Sequence, residues 1–227
     1  IRDSVNNAGL SLNGPLELVA VPDIRKLMDV NVIGLLAVTK TFLPLLRKGK
    51  GRIVNISSGH GLLAVPDKSA YAASKFAVQA ISDSLRVELR PFGVSVSCLA
   101  VGKVDTAVLG KIVADRNRMI HAADPEIVEL YSPLIEFFDR EVKDLPGIAP
   151  QEVGRVVATI AAIQSGWGRP RAFRVGSTMN FGKGHARNMT TKTISSITTG
   201  IGTGTGAMVR SATTASTGSM SPVGVWT

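Results

Sequence analysis

Short apolar runs alternate with longer stretches of helical periodicity up to about residue 176 of the chain. The runs near residues 4–6, 52–57, 94–100 and 171–175 are rich in β-branched residues, as in strands buried on both faces of a parallel sheet. Between them, apolar positions recur at helical spacing near residues 22–46, 69–90 and 150–164, and residues 104–138 read as a partly helical excursion. This alternation predicts an α/β fold with helices on both faces of the sheet.

The helix at residues 69–90 carries two finer predictions. Ser69 is a residue type that caps helix starts, so we expect it at the N-cap. Small apolar residues at helical spacing predict the face that packs on the core, namely Ala73, Phe76, Ala77, Ala80 and Leu85.

The composition of the chain changes after about residue 176. Serine, threonine and glycine dominate residues 190–221, without a sustained apolar period. Such a segment buries too little apolar surface to offset the entropy of ordering it. We therefore predict a domain at residues 1–177 and a disordered tail at residues 178–227.

Length, composition and charge limit the classes of function that we expect for the chain. The chain has 227 residues, 44% of them hydrophobic, and a net charge of +9. The basic residues are dispersed without an aromatic recognition motif, so nucleic-acid binding is not expected. The most apolar run, residues 30–46, is interrupted by Asn31, Gly34, Lys40 and Pro44, so no transmembrane segment is expected. The single cysteine, Cys98, is predicted to be a small buried hydrophobe; it excludes internal disulfides, offers no zinc ligand pair and favours a reducing, cytoplasmic setting.

The sharpest chemical feature is Tyr71 followed by Lys75. A spacing of four residues on a helix puts the phenol and the ammonium on the same face, one turn apart. A nearby cation favours the phenolate, so we expect the pKa of Tyr71 to be lowered toward neutrality, as a general acid/base requires. A solvated surface pair is the plainer alternative.

Ser58 strengthens the chemical interpretation. It ends a predicted strand, where the carboxyl edge of a parallel sheet opens into a site, and its hydroxyl could bond a substrate oxygen. Turn chemistry alone would also explain a serine there. His60, two residues later, could line the same pocket, although a solvated loop histidine is the interpretation we favour.

Five motifs match a known family in order and spacing, namely Asn7-Ala8-Gly9, Asn31-Val-Ile-Gly34, Ile56-Ser-Ser58, Tyr71-x-x-x-Lys75 and Gly102-x-Val104-x-Thr106. They resemble the motifs of short-chain dehydrogenases/reductases. The resemblance covers residues 5–176 and implies a doubly wound Rossmann fold with NAD or NADP as cofactor, which transfers hydride between an alcohol and its carbonyl. Residues 131–135 and 169–172 look most like members that act on retinol-like or steroid-like alcohols.

The resemblance also implies roles. Tyr71 would be the general acid/base, Lys75 would lower its pKa and hold the nicotinamide ribose, and Ser58 would orient the substrate carbonyl. Asn31 would hold a water that links Lys75 to solvent as a proton relay. The remaining cofactor contacts would be made at the adenosine ribose by Asn7 and Gly9, and at the nicotinamide carboxamide by Val104 and Thr106.

The sequence departs from the family at its start. Members open with a strand, a glycine-rich turn and a helix that bind the cofactor pyrophosphate, and the strand near Asn7 resembles the family's fourth. In the family's strand order, 3-2-1-4-5-6-7, three strands would be missing. We therefore expect a partial Rossmann sheet with an exposed apolar edge, which folds poorly alone and binds NAD(P) weakly or not at all.

Two functional hypotheses remain at this point. The first is an NAD(P)-dependent oxidoreductase that acts on a small-molecule alcohol or carbonyl, with a homo-oligomeric intact parent. The second is a non-catalytic scaffold or dimerisation fragment, because the nucleotide-binding half is missing and two long helices of the family commonly pack between subunits.

Overall fold

The structure, a computed structural model, describes residues 1–144, 146–162 and 172–175. Four parallel strands form one sheet in the order β1-β2-β3-β4. They are β1 (Asp3–Asn6), β2 (Arg52–Ser58), β3 (Ser95–Val101) and β4 (Ala172–Val175). The predicted α/β class with a parallel sheet is confirmed, and the strand order agrees with the 4-5-6-7 part of the order that the resemblance implies. The predicted tail and the domain boundary at residue 177 lie outside the described residues.

Helices connect the strands. The first crossover is one long helical run made of α1 (Val21–Met28), a π-helical segment (Asp29–Gly34) and α2 (Leu35–Lys48). The second crossover is α3 (Ser69–Glu88). The last crossover contains α4 (Val108–Ala122), α5 (Pro125–Asp144) and α6 (Pro150–Ala162).

Apolar clusters cover both faces of the sheet. On one face Ile53 and Val96 pack with Leu46 of α2 and Leu89 after α3. On the other face strand residues pack with Ile160 of α6. The sheet is therefore covered on both sides, as parallel sheets require. Cys98 is buried and free, as predicted.

The strand β1 lies at one edge of the described sheet. Its central Val5 is 46% exposed although valine favours buried strand positions. This is the exposed apolar edge that the sequence predicted.

The helix α3 packs in a way that the sequence did not predict. Ser69 is its first residue, and the N-cap is Lys68, which makes no capping hydrogen bond. The predicted apolar face is wrong for Ala73, Phe76 and Ala80, which are exposed. It holds for Leu85, which packs half-buried against the core, and Ala77 is half-buried. The residues buried against the sheet are Ala72, Ser74, Lys75, Val78 and Ser82.

Buried polar side chains on this face are tolerated because they are hydrogen-bonded. Asn55 is fully buried in β2, and its amide donates to the Ser82 hydroxyl at 2.9 Å. The Ser82 hydroxyl donates to the Val78 carbonyl, and Asn6 donates to the Asn55 side-chain oxygen at 2.8 Å. This network fixes α3 against β1 and β2.

The run Val21–Lys48 is long and apolar enough to cross a membrane by length and composition alone. Core helices of soluble proteins pass the same test. Here Leu27, Val32, Leu35 and Leu46 are buried against the rest of the fold. The expectation of no transmembrane segment therefore stays a prediction.

Candidate active site

The candidate site lies where β1 and β2 end. Ser58 is the last residue of β2, and Tyr71 and Lys75 lie one turn apart in the first half of α3. Asn31 approaches from the π-helical segment, and Gly9 from the loop after β1. The structure thus brings together five of the residues that the sequence singled out, at the carboxyl edge of the sheet where ligands bind in such folds.

Ser58 lies close enough to Tyr71 to favour its phenolate. The Ser58 hydroxyl oxygen accepts the backbone N–H of His60 at 3.2 Å, so its own proton is free to donate to the phenol oxygen. The His60 ring meets the Tyr71 ring edge to face, with centroids 5.9 Å apart. Serine, histidine and tyrosine therefore form one contiguous surface.

The turn Gly59–Gly61, which follows β2, packs closely against the backbone of α3. A side chain at Gly61 would come within 2.4 Å of the Ser57 hydroxyl and 2.7 Å of the Lys75 carbonyl oxygen. Only glycine fits there. The turn therefore presents His60 to Tyr71 at a fixed distance.

The electrostatics of Tyr71 differ from the expectation. Burial raises the pKa of Tyr71, and the Ser58 hydrogen bond opposes that rise. The predicted lowering is wrong for the chain by itself, because desolvation of the phenolate outweighs the favourable contacts. The phenol is therefore protonated at neutral pH and is ready to act as an acid.

Lys75 is buried beneath Tyr71. Its ammonium donates to the Ile56 carbonyl at 3.1 Å and lies 5.8 Å from the centroid of the Tyr71 ring. Burial lowers the pKa of Lys75. An ammonium has three donors, so two remain beyond the bond to Ile56 among the described contacts.

Asn31 connects three segments and is 2% exposed. Its amide group donates to the Leu10 carbonyl at 2.9 Å and to the Ser74 hydroxyl at 3.0 Å, and its oxygen accepts the Leu10 N–H at 2.7 Å. Both amide hydrogens are therefore used inside the protein. A water could bond only the remaining lone pair of the oxygen, so the relay stays a prediction.

The loop after β1 passes over the lysine. A side chain at Gly9 would lie 3.3 Å from the Asn31 oxygen, which is closer than most such contacts, and 3.5 Å from the Lys75 nitrogen, which is ordinary contact. Asn7 is exposed, and its neighbour Asn6 joins the buried network instead. The glycine therefore leaves the ammonium accessible beside the loop.

Val104 and Thr106 follow the end of β3. Val104 forms a parallel bridge with Ile148, in which Asp105 N–H donates to the Ile148 carbonyl at 3.0 Å and Ile148 N–H donates to Lys103 at 2.9 Å. These bonds flank Val104, so its own N–H and carbonyl point away from Ile148. The Val104 side chain packs in the core, and Thr106 is exposed.

His60 is not the solvated loop histidine that we favoured. Its ring contacts Tyr71, and burial together with the charge of Lys68 lowers the pKa of His60 to about 4. The neutral imidazole is therefore the form present at neutral pH. In the sequence, the position of His60 two residues after Ser58 was the single indication that it could lie at the site.

This burial predicts a pH dependence of stability. In the unfolded chain His60 takes up a proton near the ordinary histidine pKa of 6.5, whereas in the folded chain it resists protonation until about pH 4. Stability contributed by neutral His60 is therefore present above pH 6.5 and falls between pH 6.5 and 4. We expect the free energy of unfolding of the complete protein, measured with urea, to fall between pH 6.5 and 4. In His60→Gln this fall should be smaller than in the wild type by up to about 3 kcal/mol.

His121→Gln is the matched control for this measurement, because His121 is exposed on α4. Other groups, including Asp67, titrate equally in both variants and cancel. Parallel pH curves for the wild type and His60→Gln would contradict the burial of a neutral His60.

Sequence reasoning missed one set of charged residues. Arg116 of α4 is buried and pairs with Asp67 at 3.2 Å and with Asp139 of α5 at 2.9 Å. Lys68 lies next to Asp67 and is the N-cap of α3. These residues are distant in sequence and follow no periodic pattern, so only the fold brings them together.

Comparison with known proteins adds independent findings. A 3-amino-tetrahydro-pyrrolizinone reductase from Xenorhabdus hominickii is 42% identical over 134 residues, which is 59% of this chain and 47% of the relative. The mitochondrial D-beta-hydroxybutyrate dehydrogenase of Rattus norvegicus is 48% identical over 98 residues, 43% of this chain and 29% of the relative. The chain spans about half the length of these curated relatives or less.

A solved structure shares the fold. The short-chain dehydrogenase from Streptomyces avermitilis superposes with a TM-score of 0.62 at 24% identity, over 78% of this chain and 61% of that one. At this identity the likeness shows the architecture alone. The family model described as short chain dehydrogenase matches residues 4–117, about half of the chain, and spans the segments that carry Asn31, Ser58, Tyr71 and Lys75. The chain therefore belongs to the short-chain dehydrogenase family.

Proposed function

We propose that the protein containing this chain is an NAD(P)-dependent oxidoreductase that interconverts an alcohol and its carbonyl. One observation carries the proposal: Ser58 at the end of β2 and Tyr71 on α3 lie close enough for Ser58 to favour the phenolate, and the buried ammonium of Lys75 lies 5.8 Å from the centroid of the Tyr71 ring. Two hydroxyls side by side can bind one carbonyl oxygen and polarise it. The names of the relatives, a reductase and a dehydrogenase, agree with this chemistry.

The residues present fit a nicotinamide cofactor. Lys75 keeps donors for ribose hydroxyls, Gly9 leaves space above them, and the N–H and carbonyl of Val104, which point away from Ile148, suit a carboxamide. When bound, the cofactor supplies or accepts the hydride. We assign Asn7, Gly9, Lys75, Val104 and Thr106 to its binding, and the choice between NAD and NADP stays open.

The protonation state of Tyr71 suits the reductive direction. When a carbonyl is reduced at this site, its oxygen gains negative charge, and Tyr71 would donate its proton to that oxygen to give the alcohol. Ser58 holds the same oxygen, and positively charged Lys75 stabilises the phenolate that Tyr71 leaves behind. The proton is replaced from solvent, for which we propose the path past Lys75 and Asn31. Oxidation runs through the same steps in reverse.

The assay that tests this proposal uses the complete protein that contains this chain. We expect reduced nicotinamide to be consumed with short ketones and formed with secondary alcohols, and the product alcohol or ketone to appear in equal amount. The test panel includes retinol-like and steroid-like alcohols, because residues 131–135 and 169–172 resemble members that act on them. No turnover with any of these substrates and either cofactor would contradict the proposal.

A scaffold function is the second candidate, and exposed apolar side chains favour it. The helical run before β2 exposes five large hydrophobic side chains, and α3 exposes Phe76. Such surfaces usually mark an interface. We propose that the intact protein is a homo-oligomer; a scaffold would show assembly without turnover in the assay above. The five exposed residues are Val21, Ile33, Leu36, Val38 and Leu45.

A further inference from the structure

A cavity with a basic lining lies at the edge of the sheet where β1 and β2 begin. Its volume is about 250 Å³, and it is lined by Arg2, Gly49, Lys50 and Arg52. Arg52 is the first residue of β2 and Ser58 the last, so the two ends of this strand are about 20 Å apart. The basic cavity and the candidate active site therefore lie at opposite edges of the sheet.

The turn between α2 and β2 brings the three cations together. It packs against the start of β1, where the Arg52 N–H donates to the Arg2 carbonyl at 2.7 Å. A side chain at Gly51 would come within 2.6 Å of the same carbonyl oxygen. Only glycine allows this approach. The close contact of the two backbones places Lys50 at one cavity with Arg2 and Arg52.

Lys50 has a backbone conformation that lysine rarely adopts. Its φ is 45°, in the left-handed region, and such residues cluster at binding sites. The stem of its side chain lies on Gly93, where a Cβ would come within 3.3 Å of the lysine Cγ. The last carbonyls of α2 are bonded by N–H groups of the turn, so the end of this helix does not need the Lys50 ammonium. These carbonyls belong to Leu45, Leu46 and Arg47.

The positive charge at the cavity is only partly balanced. Arg52 Nη1 binds Asp3 Oδ1 at 2.9 Å, and Arg52 Nε is buried without a hydrogen-bond partner among the described residues. In the part of the chain that the structure describes, no carboxylate forms an ion pair with Arg2 or Lys50. Three cations therefore meet one carboxylate, and such a lining attracts anions.

From this arrangement we infer that the basic cavity binds a phosphate group, at a site separate from the candidate active site. Guanidinium groups match the oxygens of phosphate in pairs, and an ammonium adds a compact charge. One phosphate group has enough acceptor oxygens for Arg2, Lys50 and Arg52 together. The inference does not depend on the proposed oxidoreductase function, because none of these residues belongs to the candidate active site.

Calorimetry of the complete protein with inorganic pyrophosphate tests the inference. Saturating NADH and NADPH are present, so that a cofactor site does not account for the heat. We expect one pyrophosphate to bind per chain, with an affinity that falls as salt is added, because the contacts are ionic. Lys50→Asn should raise the Kd about 10-fold or more, and asparagine tolerates the φ of 45°. No binding to the wild type at low ionic strength would overturn the inference, and this outcome needs no variant to fold.

Lys48→Gln is the matched control. Lys48 is exposed two residues before Lys50, and it does not line the cavity. Its loss should change the Kd by less than about 2-fold, although the net charge falls equally. Equal rises of the Kd in both variants would show a diffuse attraction and would overturn the site. Adding Arg2→Gln to Lys50→Asn should abolish binding, and binding retained in this double variant would contradict the assigned lining.

A second experiment identifies what carries the phosphate. Phosphatidylcholine vesicles with and without phosphatidic acid are sedimented with the complete protein. Binding to the acidic vesicles that pyrophosphate displaces would assign the site to a lipid headgroup. Pyrophosphate binding without vesicle binding would assign it to a soluble ligand. Vesicle binding that Lys50→Asn and pyrophosphate leave unchanged would contradict a role of this cavity.

Discussion

Tyr71→Phe should lower kcat of the complete protein by about 100- to 10,000-fold, the usual contribution of a general acid or base. The substitution removes the proton donor and keeps the ring that packs against His60 at a centroid distance of 5.9 Å. Substrate and cofactor contacts of other residues remain, so KM should change much less than kcat. Steady-state kinetics with the best ketone of the panel measures both.

The chain contains its own control for this prediction. Tyr131 is the other tyrosine, and its hydroxyl donates to Glu17 at 2.9 Å, away from the Ser58–Tyr71 pair. Tyr131→Phe should leave kcat within about 2-fold of the wild type, because the bond that it removes lies at the surface. Unchanged kcat in Tyr71→Phe, or an equal loss in both variants, would contradict the assigned role of Tyr71.

Arg116→Leu should lower the free energy of unfolding by about 3–5 kcal/mol, the usual cost of removing one partner of a buried ion pair. Only 6% of the Arg116 side chain and 3% of the Asp67 side chain are exposed. Burial already raises the pKa of Asp67, and Arg116 opposes that rise. Without Arg116 the carboxylate would be buried unpaired or would take up a proton. Urea unfolding of the complete protein at neutral pH measures the loss.

Two further variants show whether the buried charge is the cause. Arg118→Leu removes an arginine two positions away in α4, one that forms an exposed pair with Asp115, and should cost less than about 1 kcal/mol. Asp67→Asn in the Arg116→Leu background removes the stranded charge, and asparagine tolerates the φ of 66° at this position. The double variant should regain most of the lost stability. If Arg116→Leu lost as little stability as Arg118→Leu, that result would contradict a stabilising buried ion pair between Arg116 and Asp67.

The sequence predicted the architecture well because apolar periodicity directly reports which elements are buried. Four short apolar runs became the four strands, and the helical spacing at residues 22–46 became one continuous helical run. It did not predict the π-helical turn at Asp29–Gly34, because that turn depends on where Asn31 finds partners. Asn31 bonds Leu10 and Ser74, which lie 21 and 43 residues away.

The buried face of α3 shows the same limit. By composition, Ala73, Phe76 and Ala80 suit a core, and Ser74 and Ser82 suit the surface. The structure reverses this assignment, because both serines find hydrogen-bond partners when buried. A polar side chain is excluded from a core only when it lacks a partner, and a sequence does not show partners.

The sequence by itself determined the strands, the helices and the family motif around Tyr71 and Lys75, because these depend on residue type and local spacing. The tertiary structure decided the raised pKa of Tyr71 and the neutral His60 in contact with it. Desolvation and charge act through space, so their strength depends on which residues the fold brings together.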